Sequence, residues 1–411
     1  MKLLERYSST RKATENICSF LEIEDMVVQT CPEVSPIKWH LAHTSWFFDK
    51  MLLQSRSDYQ SFGDQYDFYF NSYYKAAGNH WIQADRGTLS RPTVREILKY
   101  RTEVDEKICS HLEAGDFSSE DLNLLVIGLE HELQHQELMY MDAKNVLALS
   151  KAQTGLIFTS KQLSERKQEW VPHGEGLYEI GCRDEKGFAY DNERPSHKIF
   201  QPAFSISNAL ITCKEFLAFV EAGCYEDPSL WLSLGWDHLQ STGRKSPLYW
   251  FKDSTGTWME YTLYGPRELD LDAPVCHVTY FEANAFAKWA GCRLPTEFEF
   301  EIDFLARNDK KEKDSSSAQK PEFSRLHPVD PFNTYGELWC WSQSAYEPYP
   351  GFKEFSGLAS EYNGKFMCGQ QVLRGGCVVT PQGHLRPTYR NFYKPEQSWM
   401  FSGIRIARDE S

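Results

Sequence analysis

Residues 130–142 read EHELQHQELMYMD, and the reading of this stretch decides the fold. On a helix, residues four apart lie about 40° apart around the axis, so His131 and His135 can aim two imidazoles at one ion. Two ligands do not make a site. Working outward, KWHLAHTSWFF (residues 38–48) carries His40 and His43 three apart, again on one face of a helical stretch. Three imidazoles from two bundle helices suit a first-row divalent metal and leave coordination positions open. At this stage either His40 or His43 can complete the set. Glu137, two residues beyond His135, is within reach to hold an imidazole tautomer by accepting its distal N–H.

The same letters offer a second reading, because His131-Glu132-Leu133-Gln134-His135 spells the HExxH signature of zinc peptidases. That chemistry needs Glu132 beside the metal as general base and a third ligand downstream. The next residues, QELMYM, lack the Gly and His of one such continuation, and no convincing Glu-bearing helix follows.

Helical periodicity recurs near 3–22, 37–55, 93–114 and 120–148, which predicts a four-helix bundle over residues 1–150. Pro92-Thr93 and Ser118-Ser119-Glu120-Asp121 are suited to open the last two helices. Between the second and third lies a long aromatic loop, YDFYFNSYYKAAGNHWIQADRGTLSRP (66–92), of a length often associated with function. Residues 151–168 turn polar and read as a linker. Residues 169–411 break into short strand-like pieces with two clear helical segments, TCKEFLAFVEAG (212–223) and TYFEANAFAKWAG (279–291), and predict an irregular α+β domain. NDKKEKDSSSAQKPE (308–322) reads as a solvated insertion.

Composition narrows the function classes. The chain has 411 residues, 41% hydrophobic and 14% aromatic, enough for two cores. A net charge of -14 disfavours nucleic acid and anionic membrane surfaces as partners. No run of about 18 apolar residues and no signal-peptide core is present, and the 11 cysteines show no paired spacing, so a cytoplasmic protein with reduced thiols is expected.

Several stretches together resemble a known family, the nonhaem iron sulfoxide synthases of ergothioneine biosynthesis. They are SPIKWHLAHTSWFFDK, FNSYYKAAGN, RGTLSRP, EHELQHQELMYMD, DAPVCHVTYFEANAFAKWAGCRLPTEFEFE, GELWCW, LRGGCVVT, RPTYRNFY and FSGIRIARD. The resemblance implies a DinB-like four-helix bundle followed by a formylglycine-generating-enzyme-like domain of C-type-lectin-like fold. It implies Fe(II) held by His43, His131 and His135, leaving His40 as a neighbour. The implied substrates are hercynine, L-cysteine and O2, the product carrying a new bond from sulfur to imidazole C2 and a sulfoxide. FNSYYKAAGN resembles the subgroup that uses free cysteine, and it makes Tyr73 and Tyr74 the implied proton or hydrogen-bond donors at the iron, with Tyr393 as an alternative. Gln134 matches a substrate-contacting position, and Arg86 and Arg91 are candidates for a cysteine carboxylate. Tyr389, Arg390, Asn391, Phe392, Trp399 and Phe401 are expected to close the pocket from the second domain.

Relatives that join cysteine to unmethylated histidine, or a selenosugar to hercynine, would use the same constellation. A zinc-dependent thiol transferase or hydrolase on a DinB-like bundle is the alternative from another class. The catalytic formylglycine-generating enzymes use a cysteine pair near their carboxy-terminal end. This chain has no cysteine after Cys377, so its second domain is expected to support the bundle rather than to oxidise proteins.

Overall fold

The computed structural model describes residues 3–75, 78–158, 167–183, 187–311 and 325–410. The chain divides into two compact units. One comprises Met1–Gly155 with Phe355–Tyr362, the other Leu156–Glu354 with Asn363–Ser411.

The first unit is helical, built from α1 (Leu3–Ile17), α2 (Ile37–Phe48), α3 (Asp64–Phe70), α4 (Val94–Ala114) and α5 (Ser119–Ser150). Helices α1, α2, α4 and α5 form the expected bundle: α2 packs on α4 and α5, and α1 on both of these as well. The starts of the last two are set by local chemistry. Thr93 Oγ1 accepts the Glu96 amide while the Glu96 carboxylate accepts the Thr93 amide, and Ser118 and Asp121 repeat the arrangement, satisfying amides that the first turn leaves unpaired. Gly115, at φ 69°, ends α4 in the left-handed conformation that glycine adopts without strain.

Helix α2 is buried at all twelve positions, as expected of a helix that is apolar all round. Its polar side chains therefore need partners inside the protein. Beyond Phe48 it runs into one wide turn, Asp49–Leu53, closed by the Gln54 amide on the Asp49 carbonyl at 3.0 Å. Helix α5 approaches α2 closely at Gly128, where a β-carbon would stand 2.5 Å from Phe48 Cε1 and 2.9 Å from Phe47 ring atoms. The loop between α2 and α4, expected to be irregular, contains α3 and a 3-10 segment, Gln83–Thr88. Its aromatic residues hid a short helix whose rings pack on one another, as Tyr66 does on Phe70 and on Tyr100.

The second unit is α+β. Trp170–His173, Phe204–Ser207 and Ala407–Asp409 form an antiparallel sheet. Gln371–Arg374 pairs antiparallel with Asn391–Tyr393 and with Trp339–Ala345, which in turn pairs parallel with Ser402–Gly403. The two helical segments read from sequence appear as Cys213–Glu221 and Tyr280–Trp289. Ser233–Thr242 and Glu297–Lys311 are helices that the apolar pattern did not signal. The second of these buries Glu297, Glu299, Glu301 and Asp303, each ion-paired with an arginine: Arg390, Arg293, Arg374 and Arg405. Buried carboxylates disguised its core-facing side. The solvated insertion expected at 308–322 lies outside the described residues from 312 onward.

Candidate metal centre

His43 of α2 and His131 and His135 of α5 come together in the bundle core. Each offers one ring nitrogen, and the three lie within 4.8 Å of one another. His131 Nε2 is 3.2 Å from His43 Nε2 and 3.0 Å from His135 Nε2. Two bonds of about 2.1 Å meeting near a right angle span about 3.0 Å between donor atoms, so these two separations are compatible with nitrogens that share one ion. The surroundings keep the imidazoles neutral and their lone pairs available. Burial, followed by the neighbouring histidines, pushes His43 and His135 well below the ordinary range, and burial takes His131 down to about 3. With the three Nε2 atoms unprotonated, the converging lone pairs are suited to a cation.

The rings are held by flat neighbours. His43 stacks between Trp39 and Trp46, with centroids 4.5 and 5.7 Å away. His131 packs against Phe47 at 5.1 Å and Tyr362 at 5.8 Å. The far nitrogens have different partners. His43 Nδ1 meets the Phe70 carbonyl at 2.5 Å, and His135 Nδ1 meets His40 Nδ1 at 2.7 Å. His40 thus backs His135; Glu137, expected to hold an imidazole tautomer, is buried.

Glu132 settles the zinc-peptidase reading. One residue past His131 it points about 100° away around the helix, into a buried ion cluster. Its oxygens accept from Arg11 Nη1 at 2.9 Å, Arg101 Nη2 at 2.5 Å and Thr14 Oγ1 at 2.6 Å. Burial alone would raise its pKa, but Arg101 and Arg11 overcome this and hold it at about 2. A carboxylate so engaged is no general base for a metal-bound water.

Around the triad, Tyr74 is fully buried. Its backbone is clamped by Asn71, whose Oδ1 accepts the Tyr74 amide at 3.0 Å and whose Nδ2 donates to the Tyr74 carbonyl at 2.8 Å. The ring lies 6.0 Å from Trp46 and stacks on Tyr73 at 4.8 Å. The hydroxyl closes no well-formed hydrogen bond among the described residues, and burial, then the Tyr73 phenol, push its pKa up. Arg86 is also buried. Its guanidinium carbon sits 3.3 Å over the Trp39 ring, and Nη1 donates to Ser35 Oγ at 2.8 Å. Nε has no partner among the described residues, and burial draws the pKa down to about 9. Asp142 opposes that shift electrostatically without reversing it. Arg91 does not join Arg86: Arg91 is exposed and donates to the neighbouring Ser90 carbonyl.

Tyr362 is the residue that sequence reasoning missed. It is buried, and its hydroxyl donates to Gln134 Oε1 at 2.5 Å, orienting the amide that stands between the two α5 histidines. The two residues are 228 positions apart, and nothing periodic in SEYNGKF (360–366) marks the tyrosine.

The remaining site candidates belong to the second unit. Arg390 is buried in a two-pronged pair with Glu297, at 2.7 and 3.0 Å, and donates to the Asn192 and Glu347 carbonyls, which gives it a structural part. Tyr389 packs on Trp339 and Tyr190 and meets His384 Nε2 through its hydroxyl at 3.2 Å. Asn391 pairs with Leu373 in the sheet, and Phe392 stacks on Tyr346 at 4.1 Å. Trp399 meets the edge of Tyr393, and Phe401 packs on His277. No helix among the described residues is long and apolar enough to cross a membrane.

Comparison with known proteins agrees with this architecture. A DinB superfamily model matches residues 6–139, and a sulfatase-modifying factor enzyme 1-like domain model matches 153–319 and 302–410. The formylglycine-generating enzyme of Streptomyces coelicolor is 31% identical over 34% of this chain and 46% of its own. The hercynine oxygenase of Mycolicibacterium smegmatis is 28% identical, with 97% of each chain covered. That of Mycolicibacterium thermoresistibile is 31% identical, with 72% of each covered. With a helical DinB domain ahead of a sulfatase-modifying-factor-like domain, and a buried histidine triad in the first, the chain is an enzyme of the hercynine oxygenase family.

Proposed function

We propose that this enzyme joins L-cysteine to imidazole C2 of hercynine in an Fe(II)- and O2-dependent reaction that yields a sulfoxide. The observation that carries the reading is the juxtaposition of three converging neutral imidazoles with the buried Tyr74 phenol and the buried Arg86 guanidinium in the same bundle. His43, His131 and His135 would hold the iron, which when bound supplies the redox chemistry that couples thiol and imidazole to O2. In sum, the thiol S–H and the imidazole C2–H are lost, one oxygen atom is retained on sulfur, and the other leaves as water.

The protein's own groups have complementary work. Gln134, oriented by Tyr362, can hydrogen-bond the hercynine imidazole. Arg86 can pair with a cysteine carboxylate, which would offset the cost of burying its charge. Tyr74, with Tyr73 stacked on it, holds a proton firmly and can deliver it where negative charge develops. In the second unit Tyr389, Asn391, Phe392, Trp399 and Phe401 remain proposed pocket residues.

The test is a product assay with anaerobically loaded enzyme, offering hercynine or histidine against cysteine, gamma-glutamylcysteine and a selenosugar. The cysteine–hercynine sulfoxide should dominate. A dominant product from another pair overturns the substrate assignment. Tight retention of zinc, with no O2 consumption when Fe(II), hercynine and cysteine are supplied, overturns the reaction and favours the zinc-dependent class. Arg86→Met should raise the KM for cysteine by about 10- to 100-fold, the worth of one charge-assisted pair, and leave the KM for hercynine nearly unchanged.

A further inference from the structure

The three histidines are chemically unequal because their far nitrogens are backed differently. His43 leans on a neutral backbone carbonyl, that of Phe70. His131 Nδ1 has no partner among the described residues. His135 alone is tied to a carboxylate, through a second imidazole: His135 Nδ1 lies 2.7 Å from His40 Nδ1, and His40 Nε2 lies 2.9 Å from Asp142 Oδ2. His40, His135 and Asp142 are all buried.

The direction of this chain follows from proton bookkeeping. Asp142 Oδ2 also receives the Ser35 amide at 2.8 Å, so that oxygen is an acceptor and His40 must carry its proton on Nε2. In the neutral ring His40 Nδ1 then presents a lone pair, which accepts from His135 Nδ1–H. That leaves the His135 lone pair on Nε2, the nitrogen 3.0 Å from His131 Nε2 at the centre of the triad. One carboxylate on α5, seven residues past His135, thereby selects the tautomer of a ligand and increases its electron-donating strength through the intervening ring.

We propose that Asp142 and His40 form a positioning pair that fixes the tautomer and orientation of His135 and makes it the strongest donor of the triad. The pair would act on the metal through His135, while Asp142 also interacts electrostatically with Arg86. The inference rests on the reading of the triad as a metal site, and concerns what the residues do before any turnover. His40 appeared from sequence as an alternative ligand; its geometry gives it this part instead, with both ring nitrogens engaged away from the triad centre.

The experiment is a Co(II) titration of the metal-free full-length chain, followed by visible absorption and by competition with a chelator. Thermal unfolding of each metal-free variant is measured alongside. Asp142→Asn keeps an oxygen for the Ser35 amide but removes the charge, and His40→Leu removes the link. Each should weaken cobalt binding by about 10- to 100-fold and shift the absorption bands. His40→Gln can accept from His135 with its amide oxygen and donate to Asp142 with its amide nitrogen, and should bind within about threefold of Asp142-intact wild type. A purely structural role predicts lower unfolding temperatures with unchanged spectra. Asp142→Asn that binds cobalt as tightly as wild type, with the same bands, overturns the proposal even if His40→Leu fails to fold. A wild-type chain that takes up no cobalt overturns the metal reading itself, and is distinguished because it requires no comparison of variants.

Discussion

Two neighbouring residues of α5, His131 and Glu132, face opposite fates. Glu132 is surrounded by donors matched to it: two arginines and a threonine saturate its oxygens. His131 turns its Nε2 towards two other imidazole nitrogens, with no charged group to match it. The second unit repeats the first pattern, with Glu297, Glu299, Glu301 and Asp303 each closed by an arginine. Complete satisfaction marks groups that hold the fold together, since a buried charge without partners is costly. Residual demand, as at the triad and Arg86 Nε, marks groups arranged for something that arrives later.

The sharpest way to break this contrast is to remove one group from each side. His43→Ala should abolish stoichiometric metal uptake, a loss larger than the roughly 100-fold upper range for residues behind the ligands, while the metal-free protein stays folded. Metal analysis and circular dichroism of the same sample check both halves. Glu132→Ala should do the reverse, removing the buried carboxylate that Arg101 and Arg11 share and lowering stability by about 3–5 kcal/mol, with metal uptake per folded molecule unchanged. Acid resolves this further. The folded-state pKa of Glu132, about 2, lies below its ordinary 4.5, so its contribution is complete above pH 4.5 and is lost as pH falls towards 2. Wild type should therefore lose stability across that window more steeply than Glu132→Gln, as measured by denaturant titration at each pH. Loss of activity in a fully folded, metal-loaded Glu132→Gln would return Glu132 to the role of base.

The same contrast explains what could be read from the chain. The bundle was legible because its helices follow a 3.6-residue apolar period and carry explicit caps at Thr93 and Ser118. The triad was legible because two ligands share one helix at spacing four, and the second helix has two histidines from which to choose. The helix Glu297–Lys311 was not, because carboxylates paired with arginines from distant sequence occupy positions where apolar residues signal a core. Tyr362 was hidden for a related reason: it reaches Gln134 from 228 residues away, and single long-range contacts leave no local pattern. The orientation of Glu132 also required coordinates, since Arg11 and Arg101 carry no mark that ties them to it.

Close packing of α5 on α2 provides a subtler probe. Gly128→Ala would insert a methyl 2.5 Å from Phe48 and 2.9 Å from Phe47, and overpacking of this kind costs about 1–3 kcal/mol. Because His131 lies three residues further on and packs on Phe47, relief of the clash would separate the two ligand-bearing helices. Metal affinity should fall together with stability, which Glu132→Ala is expected to uncouple. Parallel measurements of unfolding and cobalt binding distinguish the two behaviours.

The smallest expected effect is at Tyr362. Tyr362→Phe keeps the ring against His131 and removes only the hydroxyl that orients Gln134, a hydrogen bond worth about 0.5–1.5 kcal/mol. Gln134 then regains rotational freedom, and the KM for the imidazole substrate should rise by about 2- to 10-fold, with the KM for the thiol, metal content and unfolding temperature nearly unchanged. Gln134→Leu should give at least as large a rise, and the double variant no more than Gln134→Leu alone, because the tyrosine acts through the amide. Additive losses in that cycle would mean that Tyr362 touches substrate itself, and would move it from the satisfied side of the comparison to the side arranged for a ligand.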